Sequence, residues 1–194
     1  MELIGKAQSA CNSTIDDVNT DDLACFEANT DVQRASGKQL LKDYLKLNTS
    51  TTAFLEEKAQ RKISVQVRKQ CQVGETLTRH SVLYLKDPSS PLLYAECLFD
   101  LSLLSETKKH ALIKQNLTIG DIFGCEHLRK VASRYHKAQV HEYESILHVD
   151  GPYYLRTFDL YFKHLKVAKL LEVVNAHSLY RVHQYATNES NVYA

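Results

Sequence analysis

The sequence predicts an α+β domain, an antiparallel β-sheet of about six strands with helices packed on one face and an extra C-terminal helix. Three observations predict it. Apolar residues recur at helical spacing over 36–59, the period switches to two at Ile63, and a helical excursion over 103–123 divides the strands into two groups.

Residues 1–35 are polar, rich in Asn, Asp, Ser and Thr, and read as a lead-in with short helical turns around Asp21 to Glu27. Leu40, Leu41, Tyr44 and Leu45 then fall on one face of a first helix. Ser50 or Thr51 caps a second helix with Phe54, Leu55 and Ala59 as its buried stripe. Ile63, Val65 and Val67 alternate with Ser64, Gln66 and Arg68, which predicts a half-buried strand ended by Gly74. Thr76 to Lys86 and Leu92 to Leu101 predict a hairpin near the sheet centre, joined by the turn residues Asp87, Pro88, Ser89, Ser90 and Pro91.

Leu104, Ala111 and Leu112 mark a helix over 103–115, and Thr118 to Phe123 opens a short one. His127 to Lys137, Val140 to Val149 and Tyr153 to Phe162 read as strands, with Asp150, Gly151 and Pro152 as a turn. Val167, Ala168, Leu171 and Val174 stand at helical spacing and predict a helix over Lys163 to Ala176, followed by a polar tail from Thr187. The domain proper covers 36–162, with 163–194 as a helix and tail of the same domain. No internal repeat is present.

Composition narrows the function classes. The 194 residues suffice for one well-buried core. Twenty-four Lys and Arg against 23 Asp and Glu leave a formal charge of +1, so nothing global attracts a nucleic acid. Lys58, Arg61, Lys62, Arg68 and Lys69 cluster, but Glu56 and Glu57 dilute them into a solvated face. Five cysteines, an odd count without a CxxC pair, suit neither a disulfide framework nor a zinc knuckle and point to a reducing cytosol. The first residues lack a basic start and a continuous apolar stretch, and no run approaches the roughly 20 apolar residues of a membrane span. Cytoplasmic location is the expectation. The Asn-x-Ser/Thr triplets at Asn12, Asn48, Asn116 and Asn188 then read as chance matches. His136 and His141 have no ligand set at metal spacing, so no metal is assigned.

Residues 43–70 followed by Thr78, Arg79 and His80 carry the strongest functional signal: helix, hydroxyl-rich cap, helix, strand, and then an arginine entering a strand. This segment is similar to the chorismate lyase (chorismate pyruvate-lyase) family, which has Leu-x-x-Ser-Met-Thr before a helix and a strand. Leu47, Ser50 and Thr52 match, with Thr51 at the methionine. Arg79, Pro91, Tyr94-Ala95 and Ile119-Gly120 stand at further family motifs, and the matching segments run from about 36 to 162, roughly two thirds of the chain.

The resemblance implies loss of pyruvate from chorismate, or a related carboxylated cyclic substrate, to give 4-hydroxybenzoate without metal or organic cofactor. It implies Arg79 as a catalytic carboxylate anchor and Ile119 and Gly120 as an amide grip on a second carboxylate, an arrangement that suits a dianion. Catalysis would come from holding a reactive conformer in a dry cavity. The family glutamate, five or six residues after the proline opening its last strand, falls on Thr157 or Phe158. Thr157 is kept as a substrate-binding position, and Asp159, two residues on and on the same face, is the expected catalytic acid. Cys97, beside Glu96, stands where members of the bacterial ubiquinone type have another arginine, which favours a less charged ligand.

Plainer readings stand beside these. Arg79 also reads as a surface arginine paired with Glu75 or Asp100. Ser50 and Thr52 read as helix caps rather than nucleophiles, and Glu96 as a solvated strand residue. The rival function is a non-catalytic domain binding a small organic acid, since the fold also resembles the effector-sensing domain of some bacterial transcription regulators. No DNA-binding helix pair is legible upstream, which argues against a complete regulator. A third reading is a specialised-metabolism enzyme with changed chemistry on the same scaffold. All three take a small-molecule partner, as a monomer or homodimer.

Overall fold

The computed structural model describes residues 31–85, 91–138, 141–148 and 153–182. Helices α1 (Asp31–Lys46) and α2 (Thr51–Ala59) precede strands β1 (Ser64–Val73), β2 (Thr76–Tyr84) and β3 (Pro91–Asp100). Helices α3 (Glu106–Ile113) and α4 (Ile119–Phe123) lead into β4 (Leu128–Ala138), α5 (His141–Leu147), β5 (Tyr153–Phe162) and β6 (Leu165–Asn175), with residues 176–182 helical after them. All strand pairs are antiparallel, in the order β1-β2-β3-β6-β5-β4. This is the α+β architecture that the sequence predicts. The α3–α4 excursion carries the chain from the central β3 to the outer β4, and β5 and β6 fill the space between.

Strand alternation sorts the sheet into two faces. Leu93, Ala95, Cys97 and Phe99 of β3 join the larger core with Leu41, Leu45, Leu55, Leu112 and Phe123 of the helices. Tyr94, Leu155, Leu171 and Val173 point the other way, where Tyr143 and Leu147 of α5 cover them.

Two elements differ from their expected type. Within the strand expected over Val140 to Val149, His141–Leu147 is a helix, because Tyr143, Ile146 and Leu147 stand at helical spacing and seat α5 on the second face. Lys163 to Ala176 is not a helix but mostly β6, with the C-terminal helix starting at 176. Strand β6 runs between β3 and β5 and is buried on both faces for most of its length, so its apolar run shows no alternation to betray it. Helix α1 begins at Asp31, inside the segment read as lead-in. The expected turns at Asp21–Glu27, Asp87–Ser90 and Asp150–Pro152, and the tail from Thr187, lie outside the described residues.

Candidate functional site

The helix-bearing face of the sheet does not close completely. A cavity remains between β2, β3, β6, β5 and β4 below and the starts of α2 and α4 above. Arg79 and Ser81, Ala95, Glu172, Phe158 and Leu160, and Lys130 supply its floor, one inward face from each strand. Ser50, Thr51, Thr52, Thr118, Ile119 and Gly120 roof it.

Both roof segments are helix starts fixed by hydroxyls. Ser50 Oγ accepts from Ala53 N at 3.3 Å. Thr118 and Asp121 form a capping box, in which Asp121 takes the amide of Thr118 and Thr118 takes that of Asp121. The amides between them, of Ile119 and Gly120, stay outside the box. The two starts touch through Gly120, where a Cβ would meet Cys125 Sγ at 2.7 Å and Ser50 Oγ and Thr52 Cβ at 3.1 Å. Only a residue without a side chain allows that approach.

Arg79 is 1% exposed. Its Nη2 donates to the carbonyl of Leu117 at 2.7 Å, while Nε and Nη1 are buried without a partner among the described residues. Burial pulls its pKa down, yet a guanidinium keeps its proton. A buried cation with idle donors is costly unless an acceptor arrives. The surface reading of Arg79 therefore fails: Glu75 pairs with Lys109, and the Asp100 side chain accepts from Ser102 N.

Across the cavity stands a buried ionic cluster. Glu172 Oε2 lies 3.2 Å from Lys130 Nζ and 3.3 Å from Arg156 Nη2. Tyr44 Oη donates to Oε2 at 2.9 Å and Thr51 Oγ1 donates to Oε1 at 2.6 Å. Lys130 Nζ also donates to Thr51. Arg156 Nη1 donates to the carbonyls of Tyr44, Leu45 and Leu47, at and just past the end of α1. Burial would raise the Glu172 carboxyl, but Lys130, Arg156 and the two hydroxyls together hold it below its usual value. Burial also lifts the Tyr44 phenol, with Glu172 adding to the rise. One carboxylate cannot neutralise two cations, and desolvation then outweighs Glu172 at Lys130, whose pKa falls to about 7.

The residues expected from the sequence divide. Arg79, Ile119 and Gly120 line the cavity together. Thr157 and Asp159 do not. They stand opposite Leu171 and Lys169 on the face turned away from it, and Asp159 pairs with Lys166 at 2.8 Å on the half-exposed side. The period of two that puts Arg156, Phe158 and Leu160 inward turns both of them outward. The acid at the cavity is Glu172, on the strand that follows. Glu96 is not solvated but 1% exposed, on the second face.

Lys130, Arg156 and Glu172 carried no legible signal. Lys130 is followed by a β-bulge between Val131 and Arg134, with Ala132 at φ 53°, so that Lys130 and Tyr135 are both buried at an odd spacing. Glu172 was hidden with β6 itself. Among the described residues, no group of His, Cys, Asp or Glu could hold a metal, and no helix is long and apolar enough to cross a membrane.

The cavity is small. The space open to the centre of a water-sized sphere is about 40 Å³, whereas a cavity that accepts benzene measures roughly 150 Å³.

No protein-family model and no curated protein matches the sequence. Solved structures do. PhnF from Mycobacterium smegmatis superposes with a TM-score of 0.51 over 91% of this chain and 94% of that one, at 10% identity. The fold is shared with PhnF. The effector domain of the same protein gives 0.48 over 66% and 88%, at 10% identity. YydK from Bacillus subtilis, titled a possible transcriptional regulator, gives 0.43 over 60% of this chain and 59% of that one, at 13% identity. This chain thus spans less than two thirds of YydK. The expectation of a chorismate lyase, with chorismate, pyruvate and 4-hydroxybenzoate in aromatic biosynthesis, is corrected: by name these neighbours are a possible transcriptional regulator, PhnF and the effector domain of PhnF, and none is a chorismate lyase.

Proposed function

We propose that this domain binds a small organic acid in the cavity, with Arg79 as its carboxylate anchor, and does not turn it over. The observation that carries this reading is the pair of idle, buried donors on Arg79, a residue that lines the cavity. An anionic oxygen would satisfy either donor through a charge-assisted hydrogen bond. Ile119 and Gly120 supply amides from the roof, and Arg79 and Arg156 against Glu172 leave the surroundings net positive, which suits an anion. The name "effector domain" of the structural neighbour supports a sensing role. A cytoplasmic location follows from the same reading.

The test is a thermal-shift and calorimetric screen with acetate, propionate, lactate, succinate and phosphate, on wild type, Arg79→Lys and Arg79→Ala. Stabilisation by a short carboxylate that is weakened in Arg79→Lys and lost in Arg79→Ala is the expected result. Indifference to every carboxylate would reject the anchor.

A further inference from the structure

Lys130 is the group this reading leaves unused. It is a primary amine, 7% exposed, on the cavity wall, with Thr51, Glu172 and Phe158 around its Nζ and Arg156 beyond the carboxylate. A lysine kept only for structure would be matched by its own carboxylate, but Glu172 is already shared with Arg156 and accepts from Thr51 and Tyr44. The amine is thus the surplus cation of the cluster, and the least costly way to relieve that surplus is to lose a proton. A neutral buried amine is a nucleophile, and its natural target is a carbonyl carbon. At another part of the same cavity Arg79 waits for a carboxylate.

We propose that the cavity takes a slender oxo acid, its carboxylate on Arg79 and its carbonyl carbon held as a reversible imine on Lys130 Nζ. This rests on the small-acid reading and names the chemical class. An unbranched acid suits the small volume of the cavity. In the step, the Nζ lone pair attacks the carbonyl carbon to form a carbinolamine. The carbon–oxygen bond then breaks and the oxygen leaves as water with the two amine protons, one relayed by the Glu172 carboxylate. The products are imine and water, nothing is oxidised or reduced, and water reverses the reaction. Lowered basicity at Lys130 agrees with this role, since its amine is substantially neutral near pH 7.

The experiment is reductive trapping on the full chain. Glyoxylate, pyruvate or 2-oxoglutarate is added with cyanoborohydride, and adducts are located by peptide mass mapping. Lys130 is expected to be labelled about tenfold or more faster than any exposed lysine, because exposed amines stay protonated at neutral pH. Propionate should protect it by occupying Arg79. Arg79→Ala should slow labelling at Lys130 alone, and Lys130→Met should abolish the dominant adduct.

Mapping on wild type decides even if a variant does not fold. Labelling spread over surface lysines without preference for Lys130 overturns the imine. If propionate stabilises the chain while no oxo acid is trapped, the imine fails and the small-acid reading stands. If no carboxylate binds and nothing is trapped, both fail.

Discussion

Glu172 and Arg156 stand directly opposite each other on β6 and β5, their charged atoms 3.3 Å apart and both side chains nearly sealed from water. The pair joins the end of α1, the start of α2 and the cavity wall, because Arg156 also caps α1 and Glu172 also accepts from Thr51. Removing the carboxylate charge leaves two buried cations facing each other. Glu172→Gln should therefore cost about 3 kcal/mol in urea unfolding at pH 6, the lower end of what breaking a buried pair costs. The loss should shrink at higher pH, as Lys130 sheds its proton. A cost under about 0.5 kcal/mol, as for an exposed pair, would show that the cluster is solvated.

The pH dependence of stability should report Lys130. Its pKa is about 7 in the folded chain against the ordinary 10.5. Between those values the unfolded chain holds a proton that the folded chain lacks, so this group makes stability rise with pH across that window. Urea midpoints at intervals from pH 7 to 10 should show the wild type gaining on Lys130→Met, whereas a constant difference would mean that the amine stays charged. Glu172 acts at the acid end. Held below its usual 4.5, it contributes fully above that value and is lost as pH falls through its folded pKa.

Gly120→Ala should destabilise by about 1–3 kcal/mol, the usual cost of overpacking a tight contact. The added methyl meets Cys125 Sγ at 2.7 Å and Ser50 Oγ and Thr52 Cβ at 3.1 Å, so Cys125 must turn away and the α2 start must give by a few tenths of an ångström. Since those starts roof the cavity, carboxylate affinity should fall together with the denaturation midpoint. Retained stability and affinity would show that the roof gives way easily.

Asp159→Asn should do almost nothing, within about 0.5 kcal/mol, since its partner Lys166 lies at the half-exposed sheet surface. Ligand stabilisation should be unchanged. A selective loss of binding would return Asp159 to the site.

Much of the architecture was legible because it rests on local periodicity. Ser50 or Thr51 announced a helix as its cap and the structure has Ser50, Thr118 to Phe123 announced another helix start, and the alternation from Ile63 announced β1. Part of the cavity lining was legible too: Arg79, Ile119 and Gly120 were named from the sequence and lie together around it. The rest failed where local pattern carries no information. Tyr143, Ile146 and Leu147 fit a strand in composition but a helix in spacing, and β6 is covered on both faces, which erases alternation.

The sequence by itself determined the class of the fold, the helix starts that roof the cavity, and an arginine in the strand that enters it, because capping and alternation act between residues a few positions apart. Tertiary structure alone decided which acid faces that arginine and which lysine joins it. Lys130, Arg156 and Glu172 come from three strands, one of them bulged and one buried on both faces. Their meeting depends on sheet order and register, which long-range packing sets and local sequence does not encode.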